Sequence, residues 1–187
     1  MWDVSTDGSG PNVAATRDGV VLTLPAHAVP RPPETVVYAR LASYCSLAGP
    51  FDIQLRYELR DWPRANGATL QLSAAFADVM RVSDPSGSER YAGVSNPAGI
   101  GPARWRAEAA TGDRRGVLRV VRQGATVSEY VRRHRKWQLL LRAPVFDAQV
   151  YVLLQLSSTE SRFSHRQVSV LLRDFRVNRG SFGCAQA

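Results

Sequence analysis

Lysine is almost missing from this sequence: of 24 lysine plus arginine residues, Lys136 alone is lysine. Cysteine is nearly as scarce, with only Cys45 and Cys184. No CxxC pair or Cys/His cluster exists, so the sequence offers no zinc site. No apolar run approaches the roughly 20 residues with which a helix crosses a bilayer. No basic-then-apolar leader follows Met1 in "MWDVSTDG". A 3.6-residue apolar period is missing too, over the roughly 11–18-residue windows in which an amphipathic helix shows itself. That excludes much helix, and with it any phosphate loop resting on a helix N-terminus. Glycoside hydrolysis uses two carboxylates that flank the bond. Glu58 and Asp61 are near in sequence, but Trp62-Pro63 puts Asp61 at or past a strand end. No Gly-x-Ser-x-Gly elbow appears, and His27, His134 and His165 sit among Pro, Arg or Ser, as surface histidines do.

What the chain does have is alternation. In "FDIQLRYEL" (51–59), Phe51, Ile53, Leu55, Tyr57 and Leu59 share one face, and Asp52, Gln54, Arg56 and Glu58 the other. A period of two describes a strand with one buried face. "DWPRANG" then turns the chain. "ATLQLSAAF" (68–76) alternates again, with Leu70, Leu72, Ala74 and Phe76 on its apolar face. "DVMRVS" and "ERYAGVS" follow on either side of "DPSGS". "GVLRVVRQGATVSEYV" reads as a hairpin whose turn holds Gly124, a residue free to take positive φ. "KWQLLLRA" and "AQVYVLLQLSS" are more apolar, as expected of strands near the middle of a sandwich. "QVSVLLRDFRVNRG" closes the pattern, and "GVVLTLPA" and "TVVYARLASY" supply two earlier strands around "HAVPRPPE". Short strands with Gly/Pro turns predict one all-β domain, a two-sheet antiparallel sandwich or jelly roll.

The formal net charge is +8, which points towards an anionic partner. The densest basic stretch, "VRRHRKW" (131–137), falls between the strands "ATVSEYV" and "WQLLLRA". It is therefore read as a solvated hairpin tip. With no recognition helix and Trp137 assigned to the core, no specific nucleic-acid binding is expected. Cys45 and Cys184 admit two readings, a buried free pair or one disulfide pinning the C-terminal tail. The disulfide is the expectation, and it implies an oxidising compartment.

In order along the chain, "GPFDIQLRYELRDWPRANGATLQL", "VMRVSDPSGSERYAG", "GVLRVVRQGATVSEYV" with Trp137 after it, and "VSVLLRDFRVNRG" resemble the concanavalin A-like lectin/glucanase superfamily. The likeness runs over roughly residues 35–180 and is strongest to bacterial, mostly extracellular domains of uncharacterised role. It implies a jelly roll with a concave sheet face that in relatives often binds carbohydrate. It also permits one structural calcium ion near the chain ends, with Asp52 or Asp174 as ligands. The last strand of such a fold returns beside an early one, which would let "SYCSLAGPF" meet "GSFGC". The sequence departs from catalytic members in lacking their Glu-x-Asp-x-x-Glu strand, and from legume-type lectins in lacking an Asp/Asn metal loop.

The resemblance implies a non-catalytic, lectin-like carbohydrate-binding module, extracellular or at a cell surface. A structural or protein-interaction jelly roll is the alternative. The candidate ligand-binding face comprises Arg56, Glu58, Gln71, Ser73, Arg81 and Arg119, with Trp105 as the exposed ring. Outward polar alternates could equally form a salt-bridged sheet face that binds nothing, and both readings stand at this point.

Overall fold

The computed structural model describes residues 2–96, 105–146, 149–159 and 166–184. His165 and the "NPAGIGP" break, save for Asn96, lie outside them. Sixteen strands make up the regular structure, and no helix occurs among the described residues. In chain order they are β1 (Trp2–Asp7), β2 (Asn12–Thr16), β3 (Gly19–Leu24), β4 (Val36–Ser43), β5 (Ser46–Leu47) and β6 (Phe51–Asp61). Next come β7 (Thr69–Ala74), β8 (Ala77–Ser83), β9 (Glu89–Ser95), β10 (Trp105–Ala110) and β11 (Arg115–Gln123). The last are β12 (Thr126–Arg133), β13 (Lys136–Pro144), β14 (Leu153–Thr159), β15 (Val168–Arg179) and β16 (Phe182–Gly183).

Two antiparallel seven-stranded sheets face each other. The first runs β1-β4-β14-β7-β8-β9-β10 and the second β13-β12-β11-β6-β15-β3-β2, with β16-β5 as a small annex. Period-two alternation decides what lies between them. β6 sends Phe51, Ile53, Leu55, Tyr57 and Leu59 inward, and all five are buried. Leu70, Leu72 and Ala74 of β7 meet them from the first sheet, with Leu154 and Leu156 of β14. A buried Leu or Ile contributes on the order of 1.5–3 kcal/mol relative to exposure, so this single cluster is the main stabilising feature. Trp2 packs edge-on against Phe175 with ring centroids 5.1 Å apart, covering one margin of the core.

Four local readings change. β7 ends at Ala74, and Phe76 sits in the β7–β8 turn at positive φ, 47% exposed. β13 is the edge strand of its sheet, not a central one, so its apolar Trp137 and Leu139 reach solvent. "WRAEAA" is strand β10, not a loop, and Trp105 packs partly buried against the core. Strands β1, β2 and β10 occupy sheet edges, where one neighbour suffices and the alternation signal is weak.

Several expectations hold. Cys45 and Cys184 are disulfide-bonded, next to the β5–β16 pairing of Leu47 with Phe182. The turn of the β11–β12 hairpin contains Gly124 at φ +58°. "VRRHRKW" spans the β12–β13 turn, where His134 and Arg135 take positive φ and are exposed. Several inward positions carry charge-bearing groups. Glu129 of β12 falls between Val127 and Val131 on the buried face and is 1% exposed. Its carboxyl abuts Gly93, where an added Cβ would lie 2.5 Å from Oε2. Burial, reinforced by the Asp78 charge, pushes its pKa up to about 9.

Candidate functional site

The predicted face divides between opposite surfaces of the sandwich. Gln71 and Ser73 point outward from the first sheet, whereas Arg56, Glu58 and Arg119 point outward from the second. Arg81 lies on neither, being 1% exposed. β8 turns Ala77, Val79 and Arg81 inward and Asp78 and Met80 outward. The Arg81 guanidinium forms an ion pair with Glu89 and donates to the Val82 carbonyl at 2.8 Å, with the Trp62 ring 5.8 Å away. Trp62 in turn donates its indole N–H to Glu89 at 3.1 Å. Arg81 is thus a structural charge inside one end of the sandwich, close to where β8 meets the loops.

On the second sheet the outward polar groups are engaged with one another. Arg119 binds Asp52 through two hydrogen bonds, at 2.8 and 2.5 Å, and Asn178 donates to the same carboxylate at 3.2 Å. Glu58 receives Arg115 and Arg173, each at 2.9 Å, and Asp174 receives Arg176 at 2.7 Å. Burial works to raise the Asp52 pKa, but the Arg119 and Asn178 hydrogen bonds outweigh it and leave it below the usual carboxylate range. Hydrogen bonds from Arg115 and from Arg176 lower Glu58 and Asp174 respectively. Trp137, read as core, stands on this face with Arg119 4.8 Å and Arg132 5.9 Å from its ring. This is the salt-bridged face. Both carboxylates put forward as calcium ligands are committed to guanidinium groups here, and no cluster of three or more His, Cys, Asp or Glu suited to a metal occurs among the described residues.

The outward face of the first sheet is different in kind. Strand register aligns Arg40, Gln155, Gln71, Met80, Ala92 and Glu108 in one row across β4, β14, β7, β8, β9 and β10. Six strands at about 4.8 Å spacing make a row about 24 Å long. Ser73 and Asp78 are opposite each other in the next row. Ser73 and Gln71 both hydrogen-bond the Asp78 carboxyl, which burial nevertheless holds above its ordinary pKa. Arg40 donates to Gln155 Oε1 at 2.8 Å and lies 4.1 Å from the centre of the Tyr38 ring. Neutral amides, a hydroxyl and a half-buried carboxyl here adjoin the apolar Met80, Ala92 and Val94. Such a surface offers donors and acceptors in fixed positions without strong net charge.

Arg40, Gln155 and Asp78 were not anticipated. Each is one polar residue on an alternating strand, and only pairing of β4, β14, β7 and β8 brings them together.

No protein-family model matches the chain, and no curated protein does. Solved structures do. The legume lectin-like domain from Entamoeba histolytica superposes with a TM-score of 0.64 at 10% identity, covering 95% of this chain and 89% of that one. The fold is that of the concanavalin A-like lectins and glucanases. The β-glucanase of Bacillus licheniformis shares this concanavalin A-like sandwich at a TM-score of 0.63 and 11% identity, over 95% and 92% of the two chains. A carbohydrate-binding module from Bacillus subtilis does so at 0.53 and 10%, over 95% of each. The concanavalin A-like architecture thus occurs here at identities that establish the fold and leave the chemistry to the site.

Proposed function

We propose that this chain is a non-catalytic carbohydrate-binding module whose ligand lies along the outward face of the first sheet. The observation that carries the reading is the Gln155–Gln71 row with Ser73–Asp78 beside it. It is a half-buried band of amide, hydroxyl and carboxyl groups, flanked by Arg40 stacked on Tyr38. Sugar hydroxyls are matched by such amide and carboxyl groups, and the half-buried Met80 and Val94 suit the C–H face of a pyranose ring. The second sheet supports the choice by contrast, since its carboxylates are already taken by arginines.

The non-catalytic part rests on carboxylate count. Glycoside hydrolysis generally uses two carboxyl groups flanking one bond. On this face Asp78 has Glu108 as its nearest outward acid along the strands β8–β10, and Glu108 is held by Arg90 at 3.2 Å and Arg106 at 2.5 Å. A secreted or surface location is supported by the Cys45–Cys184 disulfide.

The test is a glycan array followed by titration of the best ligand against Gln71→Ala/Gln155→Ala. Losing two or more hydrogen bonds to a ligand is expected to weaken binding by about tenfold or more, with the melting temperature preserved. Binding that is unchanged in this variant would overturn the site. Release of reducing sugar from mixed polysaccharides would overturn the non-catalytic assignment.

A further inference from the structure

The chain's positive charge is gathered by the topology at one end of the sandwich. The β3–β4, β6–β7, β8–β9, β10–β11 and β12–β13 connections all leave from the same end, as does the segment leading into β15. Arg60, Arg64, Arg114, Arg135, Lys136 and Arg166 are exposed there. Of the acids at that end, Asp61 accepts hydrogen bonds from Ser169 and Gln167, Asp84 is paired with Arg90, and Glu89 is held by Arg81 and Trp62. Asp113 faces Arg133 at 3.7 Å, and Glu34 is exposed in the β3–β4 connection. Arg64, Arg135, Lys136 and Arg166 have no acidic partner among the described residues. Two recesses open between these loops. One, of about 430 Å³, is lined by Trp62, Arg64, Arg81, Glu89 and Arg114 among others. The other, of about 370 Å³, is lined by Arg60, Asp61, Pro63 and Arg166, and Trp62 stands between the two.

We infer that this end is a second binding surface, specific for the carboxylate or sulfate groups of an acidic polysaccharide. The inference rests on the reading of the chain as a carbohydrate binder and supplies the class of its ligand. Arginine forks match planar carboxylate and sulfate oxygens in pairs. Two cation-lined recesses on either side of one buried Trp suit charges repeated along a chain better than one isolated ion. A nucleic acid is the poorer fit. Trp62 is 6% exposed and offers no face to a base, and the Trp137 ring beside the hairpin tip is occupied by Arg119 and Arg132.

The experiment measures retention of the full chain on heparin, polygalacturonate, a neutral β-glucan and duplex DNA at about 0.15 M salt, where distant charges are screened. The variant Arg64→Ala/Arg135→Gly/Arg166→Ala is compared with Arg17→Ala/Arg142→Ala/Arg179→Ala, which has the same net charge but is altered away from this end. Affinity for at least one acidic polysaccharide is expected to fall about tenfold in the first variant and to stay unchanged in the second. Equal losses in both would show an effect of net charge alone and overturn the proposal. Retention on the neutral glucan only would overturn it while leaving the carbohydrate reading intact, whereas no retention on any glycan would overturn both. Tighter binding to DNA than to either acidic polysaccharide would also overturn it.

Discussion

Replacing Glu129 by Gln removes a titration that the fold makes costly. The Glu129 carboxyl is 1% exposed between the sheets, against Gly93 and among Val127, Val131, Leu140 and Leu141. Its pKa is about 9 when folded, against 4.5 for the free side chain. Because the folded value is raised, the stabilisation is complete below about pH 4.5 and is lost as pH rises through about 9. Between those limits the unfolded chain is ionised and the folded chain is not, so unfolding releases a proton. Stability then falls by about 1.4 kcal/mol per pH unit, or about 4 kcal/mol from pH 5 to pH 8. That is a large share of the roughly 5–15 kcal/mol available to a domain. Asp52, Glu58, Asp61 and Asp174 all have lowered pKa values and stay ionised throughout this window. Asp78, raised by burial, adds a loss of the same sign, and comparison with Glu129→Gln separates it. Urea unfolding followed by tryptophan fluorescence at pH 5, 6, 7 and 8 gives the slope. The wild type is expected to lose stability steadily, and Glu129→Gln to lose most of that slope. A flat wild-type profile, or the same slope in the variant, would refute the reasoning.

Other perturbations give sharp outcomes. Cys45→Ser/Cys184→Ser opens a link across a sequence separation of 139 residues, and the chain-entropy relation predicts a loss of about 5 kcal/mol in denaturant unfolding; a loss below about 1 kcal/mol would contradict it. Arg81→Ala strands Glu89 and leaves a void beside Trp62, at about 3–5 kcal/mol, whereas Arg56→Ala on the exposed face changes stability by less than about 0.5 kcal/mol. Equal effects from the two would mean that Arg81 is not the buried ion-pair partner described. We propose that no structural calcium contributes, because Asp52 and Asp174 are spent on Arg119 and Arg176; the melting temperature is therefore expected to be the same with and without chelator, and a drop on chelation would count against that assignment.

How much of the site was legible depended on whether a signal was local. The outward orientation of Gln71, Ser73, Arg56 and Glu58 followed from alternation with buried Leu70, Leu72, Leu55 and Tyr57. Arg81 was misread because "DVMRVS" places an apolar Met80 outward and a charged Arg81 inward, against the usual partition. Trp137 was misread because an apolar strand resembles a central one, although β13 is an edge. Neither error could be repaired from neighbouring residues, since edge position and loop cover are set by distant strands.

Period-two patterning, turn residues and the absence of helical periodicity are properties of adjacent residues, so the sequence by itself determined an all-β sandwich and the inward set of most strands. Which sheet a strand joins is decided by pairing between segments far apart in sequence. Strand β6 pairs with β11 and β15, while β7, next along the chain, pairs with β14 and β8. That long-range pairing placed Gln71 and Arg56 on opposite faces, aligned Arg40, Gln155 and Gln71 in one row, and gathered arginines from separate loops at one end. Alternation states that a side chain faces out; only the closed sandwich states which outside it faces.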